Sequence, residues 1–146
     1  MDAVFGLRGH GSLKTHAFRL KRGQDLLCGI ADYACAHQIR AGCVLIGVGC
    51  VTRARLRDAS GVTIREVDAD LEIVSLTGTV SAERTHLHAS FSREDLATLG
   101  GHLVEGCLVN TTAEIVLLEL EDLRFSAAFD PQTGYDELVI ERLGAR

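Results

Sequence analysis

Three histidines are the residues of this chain best spaced to do chemistry together. His86 and His88 stand two apart in THLHASF, and His102 follows two glycines in LGGHL. Side chains alternate along a strand, so a strand over residues 85–91 puts His86, His88 and Ser90 on one face and Leu87, Ala89 and Phe91 on the other. Two imidazoles on one face lie close enough to chelate one ion, and the Gly100-Gly101 hinge lets the backbone approach closely enough for His102 to add a third nitrogen. Neutral imidazole suits zinc, copper, iron or nickel, with zinc the default on abundance, and three protein ligands leave one position open for water or substrate. The spacing equally admits a plainer reading, polar histidines on the solvated face of a strand.

Other chemistry-bearing residues are less well supported. Glu114 lies beside apolar Ile115 and Val116 and reads either as a buried carboxylate that orients a metal-bound group or as an exposed position of an amphipathic strand. Glu105 and Cys107 are near His102 in sequence, without a spacing argument for either. Gly47-Val48-Gly49 lacks the third glycine of a dinucleotide fingerprint, since Thr52 stands there and no helix opens, so it predicts a strand bend. Arg53, Arg55 and Arg57 fall on alternate positions, which gives either a phosphate-binding row or a solvated edge. Ser90 and Ser92 have no GxSxG nucleophile elbow around them, so serine hydrolysis has little to support it.

The elements that would position these residues are mostly strands. KTHAFRL alternates from Lys14 to Leu20 and predicts the first strand. Asp25 is placed to cap a helix carrying Leu26, Leu27, Ile30, Ala34 and His37 at helical spacing, with Ala41-Gly42 as its stop. CVLIGVGCV predicts a buried strand running on into TRARLRD. Residues 62–67 and 71–80 predict two more, separated by an acidic Asp68-Ala69-Asp70 turn. Cys107–Val109 and Ala113–Leu120 predict the last core strands, and residues 137–142 an edge strand beyond a loop holding Pro131 and Gly134. One helix among many strands joined mostly by short turns predicts an α+β domain, a mainly antiparallel sheet backed by a helix.

Composition narrows the class. A chain of 146 residues fits a single domain, and 47% apolar with 24% charged residues is an ordinary globular balance. A net charge of −5 lacks the basic footprint of a nucleic-acid-binding domain, so contact with DNA would need a local patch. Five cysteines, an odd number without CxxC spacing, predict buried free thiols. The N-terminal stretch MDAVFGLRGHGS does not read as a signal peptide, and no apolar run reaches the ~20 residues of a spanning helix. Cytoplasm is the expected location, with the nucleus as alternative.

HLHAS at 86–90, GGHL at 100–103 and the downstream Ala113-Glu114-Ile115 together resemble the plant and prokaryote conserved (PPC) domain, a family catalogued as of unknown function. LKRGQDLL at 20–27, IGVGCV at 46–51 and LEIVSLTG at 71–78 are similar to further parts of its pattern, so the resemblance runs from about Phe18 to Ile140. It implies one domain over 1–146 with its core at about 14–142. It also implies a seven- or eight-stranded, mostly antiparallel sheet packed on one helix and assembled as a homotrimer. It further implies a divalent metal, generally zinc, on His86, His88 and His102. Plant members of the family carry AT-hooks and recruit other transcription factors. This chain has no Arg-Gly-Arg-Pro hook, and Ala69-Asp70-Leu71-Glu72-Ile73-Val74 stands where the plant partner-binding segment Gly-Arg-Phe-Glu-Ile-Leu would be.

Two functions follow as expectations. One is a trimeric regulatory or interaction protein with a three-histidine metal site and protein partners, with DNA association resting on the family alone and no membrane role. The other is a zinc-dependent enzyme acting on a small molecule, with Glu114 or Glu105 as general base.

Overall fold

The computed structural model describes residues 11–144; the expectation that the N-terminal stretch is not a signal peptide falls chiefly on residues 1–10, outside the described residues. Strand β1 (Leu13–Lys21) turns its alternate residues His16, Phe18 and Leu20 inward. Helix α1 (Leu26–Ala36) follows. Its cap is the expected one: Asp25 Oδ1 accepts from the Cys28 amide at 2.9 Å, satisfying one of the donors that a helix N-terminus leaves open. The helix buries Leu26, Ile30 and Ala34 but stops well short of Ala41-Gly42. Gln38 takes a left-handed conformation, φ 53°, and the Ile39 amide bonds back to the Ala34 carbonyl at 3.0 Å. That reversal buries Ile39, and burial of an aliphatic side chain outweighs a further turn of helix.

Seven further strands follow among the described residues: β2 (Gly42–Arg57), β3 (Ile64–Val80), β4 (Thr85–Ser92), β5 (Thr98–Leu103), β6 (Leu108–Leu120), β7 (Leu123–Asp130) and β8 (Tyr135–Arg142). The main sheet runs β1-β6-β2-β3-β4-β5, and every pairing in it is antiparallel. The fold is α+β as expected, with one correction. The eight strands make a six-stranded sheet and a separate β7-β8 hairpin, not one sheet of seven or eight. Beneath the hairpin Leu123 and Phe125 meet Ala41 in a small core of their own.

Two predicted breaks are absent. Asp68-Ala69-Asp70 lies inside continuous β3 because its acids find partners across the surface: Arg53 Nε donates to Asp68 Oδ1 at 2.6 Å, and Asn110 Nδ2 to Asp70 Oδ1 at 3.1 Å. The two expected segments around 107–120 are likewise one strand, β6. The bend predicted at Gly47-Val48-Gly49 is displaced to either side of it: β2 shifts register around Leu45, Cys50 and Thr52, while Gly47, Val48 and Gly49 pair regularly with β6.

The main core lies between α1 and the inner sheet face, where Leu26, Ile30, Val51, Leu87, Phe91 and Ile115 are buried. A polar pair sits at its margin: His16 Nε2 is 2.8 Å from Glu119 Oε2, and both residues are buried. β2 is long enough to serve two neighbours on one side. Its first part pairs with β6, while Leu56 and Arg57 at its end pair with Leu103 and His102 of β5. Strands β2, β3, β4 and β5 thus close on themselves. No helix of the described residues is long and apolar enough to cross a membrane.

Candidate metal centre

The closure of the sheet assembles the histidines. His88 on β4 stands opposite His102 on β5, and Thr79 and Thr77 of β3 stand opposite His86 and His88. Leu87, Ala89 and Phe91 point into the core, so their burial fixes the opposite, outward direction of His86 and His88. Behind them β3 passes unusually close. Gly78 has φ 147°, and a Cβ there would lie 2.0 Å from the His86 carbonyl oxygen. Gly101 serves the β2-β5 contact in the same way, since its Cβ would lie 2.8 Å from the Arg57 carbonyl. Gly100 and Gly101 therefore act as members of a close strand pair rather than as a hinge.

The donor nitrogens of the three rings lie within 4.8 Å of one another, with ring centroids 4.9 to 5.4 Å apart. His86 Nε2 and His88 Nε2 are 3.2 Å apart. Tetrahedral ligands at ~2.0–2.1 Å from zinc are separated by about 3.3–3.4 Å, so this pair already has the spacing that one ion requires. His102 Nδ1 is buried without a hydrogen-bond partner, and an unmet buried nitrogen is a rare and costly feature. His88 is exposed while His86 and His102 are half-buried, which leaves one side of the cluster open. The residues present fit a divalent transition metal.

Electrostatics favour the neutral, ligating form of His86 and His102. Burial, then the positive charge of Arg57, pushes His102 down to about 4. Burial and the Arg84 charge lower His86 in the same direction. Arg57, opposite His102 in the β2-β5 pair, and Arg84, whose Nη2 is 3.2 Å from His86 Nδ1, were not legible as site residues. Arg57 shows in the sequence only as the third member of an alternating row. The structure splits that row: Arg53 reaches Asp68 at 2.6 Å and Glu66 at 3.6 Å, and Arg55 reaches Glu66 at 3.6 Å. Arg57 has no such partner among the described residues.

The carboxylate candidates stand apart. Glu114 is exposed on β6 opposite Arg19 and Val48, with β2 and β3 between it and β4. Glu105 lies in the turn after β5, its carbonyl accepting from Arg55 Nη1 at 3.0 Å. Neither joins the three-histidine group. Cys107 is buried on the inner side, where its sulfur receives the Arg55 amide at 3.0 Å, and burial pushes its thiol up to about 11. It is an inert core thiol. All five cysteines are free, though Cys35 is exposed and only Cys107 is fully buried.

Several known proteins are similar to this chain in sequence and fold. A bifunctional protein GlmU of Synechococcus sp. (strain JA-3-3Ab) is 41% identical over 133 residues, which cover 91% of this chain. The chain spans about a fifth of the length of that relative, 21%. A hypothetical protein of Salmonella cholerae-suis has the same fold with TM-score 0.88 and 33% identity, over 92% of this chain and 97% of its own. A metal-containing protein of Archaeoglobus fulgidus superposes with TM-score 0.72 and 28% identity, over 86% and 93%. The pattern of the Plants and Prokaryotes Conserved (PCC) domain matches residues 8–121, and the chain belongs to that family.

Proposed function

We propose that this protein is a metal-binding regulatory or interaction module, in which His86, His88 and His102 hold one divalent transition metal, by default zinc. The observation that carries the reading is the outward convergence of three imidazoles, two of them with ring nitrogens 3.2 Å apart. The metal-containing relative of Archaeoglobus fulgidus supports it. Metal content measured on tag-free protein, beside His88→Ala, tests it. Near-stoichiometric zinc that is lost in the variant is the expected result; a wild-type chain that holds no metal even after soaking refutes it.

The proposed assembly is a homotrimer. Leu45, Ile46, Val48 and Val74, on β2 and β3, are each about half exposed, and an apolar patch of this kind is usually covered by a partner. DNA binding is the weaker part of the family inference. The chain is acidic, and two of the three arginines in the basic row are already paired with acids. A zinc-dependent enzyme is a second reading, favoured by a cleft of about 280 Å³ that His86 and His102 help to line. In that reading neither Glu114 nor Glu105 is placed to act as the base, and metal-bound water would have to serve.

A further inference from the structure

Two guanidinium groups beside the histidines have no partner that explains them. Arg57 and Arg84 line the cleft of about 280 Å³ together with His86 and His102, and the start of β8 forms its far wall through Tyr135 and Glu137. Among the described residues neither arginine forms an ion pair, whereas Arg53, Arg55, Arg65 and Arg124 all do. Arg84 touches only Thr79 Oγ1 at 3.4 Å and His86 Nδ1 at 3.2 Å.

A divalent cation on neutral imidazoles would bring two positive charges to a place already flanked by two. Asp136 and Glu137, at the hairpin end, offset half of the four. The remaining excess calls for a mobile anion, because uncompensated charge in a partly desolvated cleft is costly.

Tautomer chemistry points the same way. A guanidinium can only donate, so His86 Nδ1 accepts from Arg84 and the ring proton sits on Nε2. An imidazole that gives its Nε2 lone pair to a cation carries its proton on Nδ1 and can no longer accept there. Metal loading therefore releases Arg84 from His86 and leaves its donors free in the cleft it lines.

We infer that this cleft takes a small oxyanion, a carboxylate or a phosphate, that occupies the open position of the metal while Arg57 and Arg84 hold its outer oxygens. The inference rests on the metal reading above. Planar guanidinium groups match both anions with paired hydrogen bonds. The volume is at the lower limit for ligand pockets, and the two acids on the hairpin oppose larger polyanions, so the ligand is small and singly or doubly charged.

Cobalt(II) titration of the tag-free chain tests it, because the visible spectrum of cobalt reports a change of ligand directly. Cobalt alone is compared with cobalt plus malonate and with cobalt plus inorganic phosphate. The expected result is a spectral shift and tightening of cobalt on the order of tenfold with at least one anion; the anion with the larger effect identifies the class. Arg57→Gln and Arg84→Gln should still bind cobalt without anion and lose that tightening. Cobalt bound with unchanged spectrum and affinity in both anions overturns the oxyanion inference and leaves the metal centre standing. Tightening that survives in both variants overturns the role of the arginines. Failure to bind cobalt under any condition refutes the metal reading itself.

Discussion

Gly78→Ala should be the most damaging single methyl group added near the histidines. A Cβ at this position lies 2.0 Å from the His86 carbonyl oxygen and 2.8 Å from the Leu87 Cα, against the roughly 3.4 Å of ordinary contact. Both obstacles are backbone, so no side chain can swing aside; β3 and β4 must part by about 1 Å. The φ of 147° adds about 1–3 kcal/mol for a residue with a side chain. Stretching or losing one or two ladder hydrogen bonds adds about 1 kcal/mol each. The sum is about 2–5 kcal/mol, which at ~2 kcal/mol/M of urea lowers the unfolding midpoint by about 1–2.5 M. Gly23→Ala is the control, because Gly23 also has positive φ, 82°, but open space around it, so only about 1 kcal/mol is at stake. Urea unfolding of both variants, with zinc binding measured on whatever remains folded, makes the comparison. If Gly78→Ala unfolds at the midpoint of Gly23→Ala and binds zinc like the wild type, the close passage of β3 behind His86 is not what positions the site.

Acid should weaken the metal-free protein. His102 titrates near 4 in the fold against 6.5 when unfolded, so the unfolded chain binds more protons between those values. Stability is then full above about pH 6.5 and falls as pH drops towards 4. The urea midpoint should fall less in His102→Gln than in the wild type between about pH 7.5 and about pH 5; an equal fall contradicts the assignment. Asp25→Ala removes the α1 cap and also a 2.6 Å bond from the Gly106 amide to Oδ2. It should cost about 2–3 kcal/mol in urea unfolding, and a change below about 1 kcal/mol speaks against the double role. Val48→Glu puts a charge in the exposed aliphatic patch and should shift the mass measured by light scattering from trimer to monomer. Glu114→Gln should leave zinc stoichiometry and affinity unchanged, and loss of zinc would restore Glu114 to the site.

The sequence patterns that proved readable share a physical origin. Period-two alternation in 85–91 and 14–20 survives because one face of each strand is buried and the other is not, and that same alternation fixes where His86 and His88 point. The Asp25 cap is read from local chemistry and needs no tertiary information. Local signals misled where a distant residue supplies the compensation. Asp68 and Asp70 read as a turn until Arg53 and Asn110 are seen across from them, and the stop of α1 depends on where Ile39 finds the core. Strand β7 was missed because its partner is β8 and its support a small separate cluster. Arg57 and Arg84 could not have been assigned to the histidines by any local rule, since one arrives through the β2-β5 closure and the other through the turn before β4.

The order of the strands also sets a schedule for biosynthesis. Of the described strands β1 is made before the others, and among the described residues it pairs only with β6, with Leu13 opposite Leu120 and Lys21 opposite Thr112. About a hundred residues separate the two, so at 5–20 residues per second β1 waits roughly 5–20 s for its partner. Throughout that interval Phe18 and Leu20 lack the strand that will complete their cover, while β2 to β5 can already pair among themselves. The histidine cluster can therefore form while β1 is still unpaired. A nascent chain halted before β6 would present a closed set of strands with the three histidines together and β1 free to stick to others.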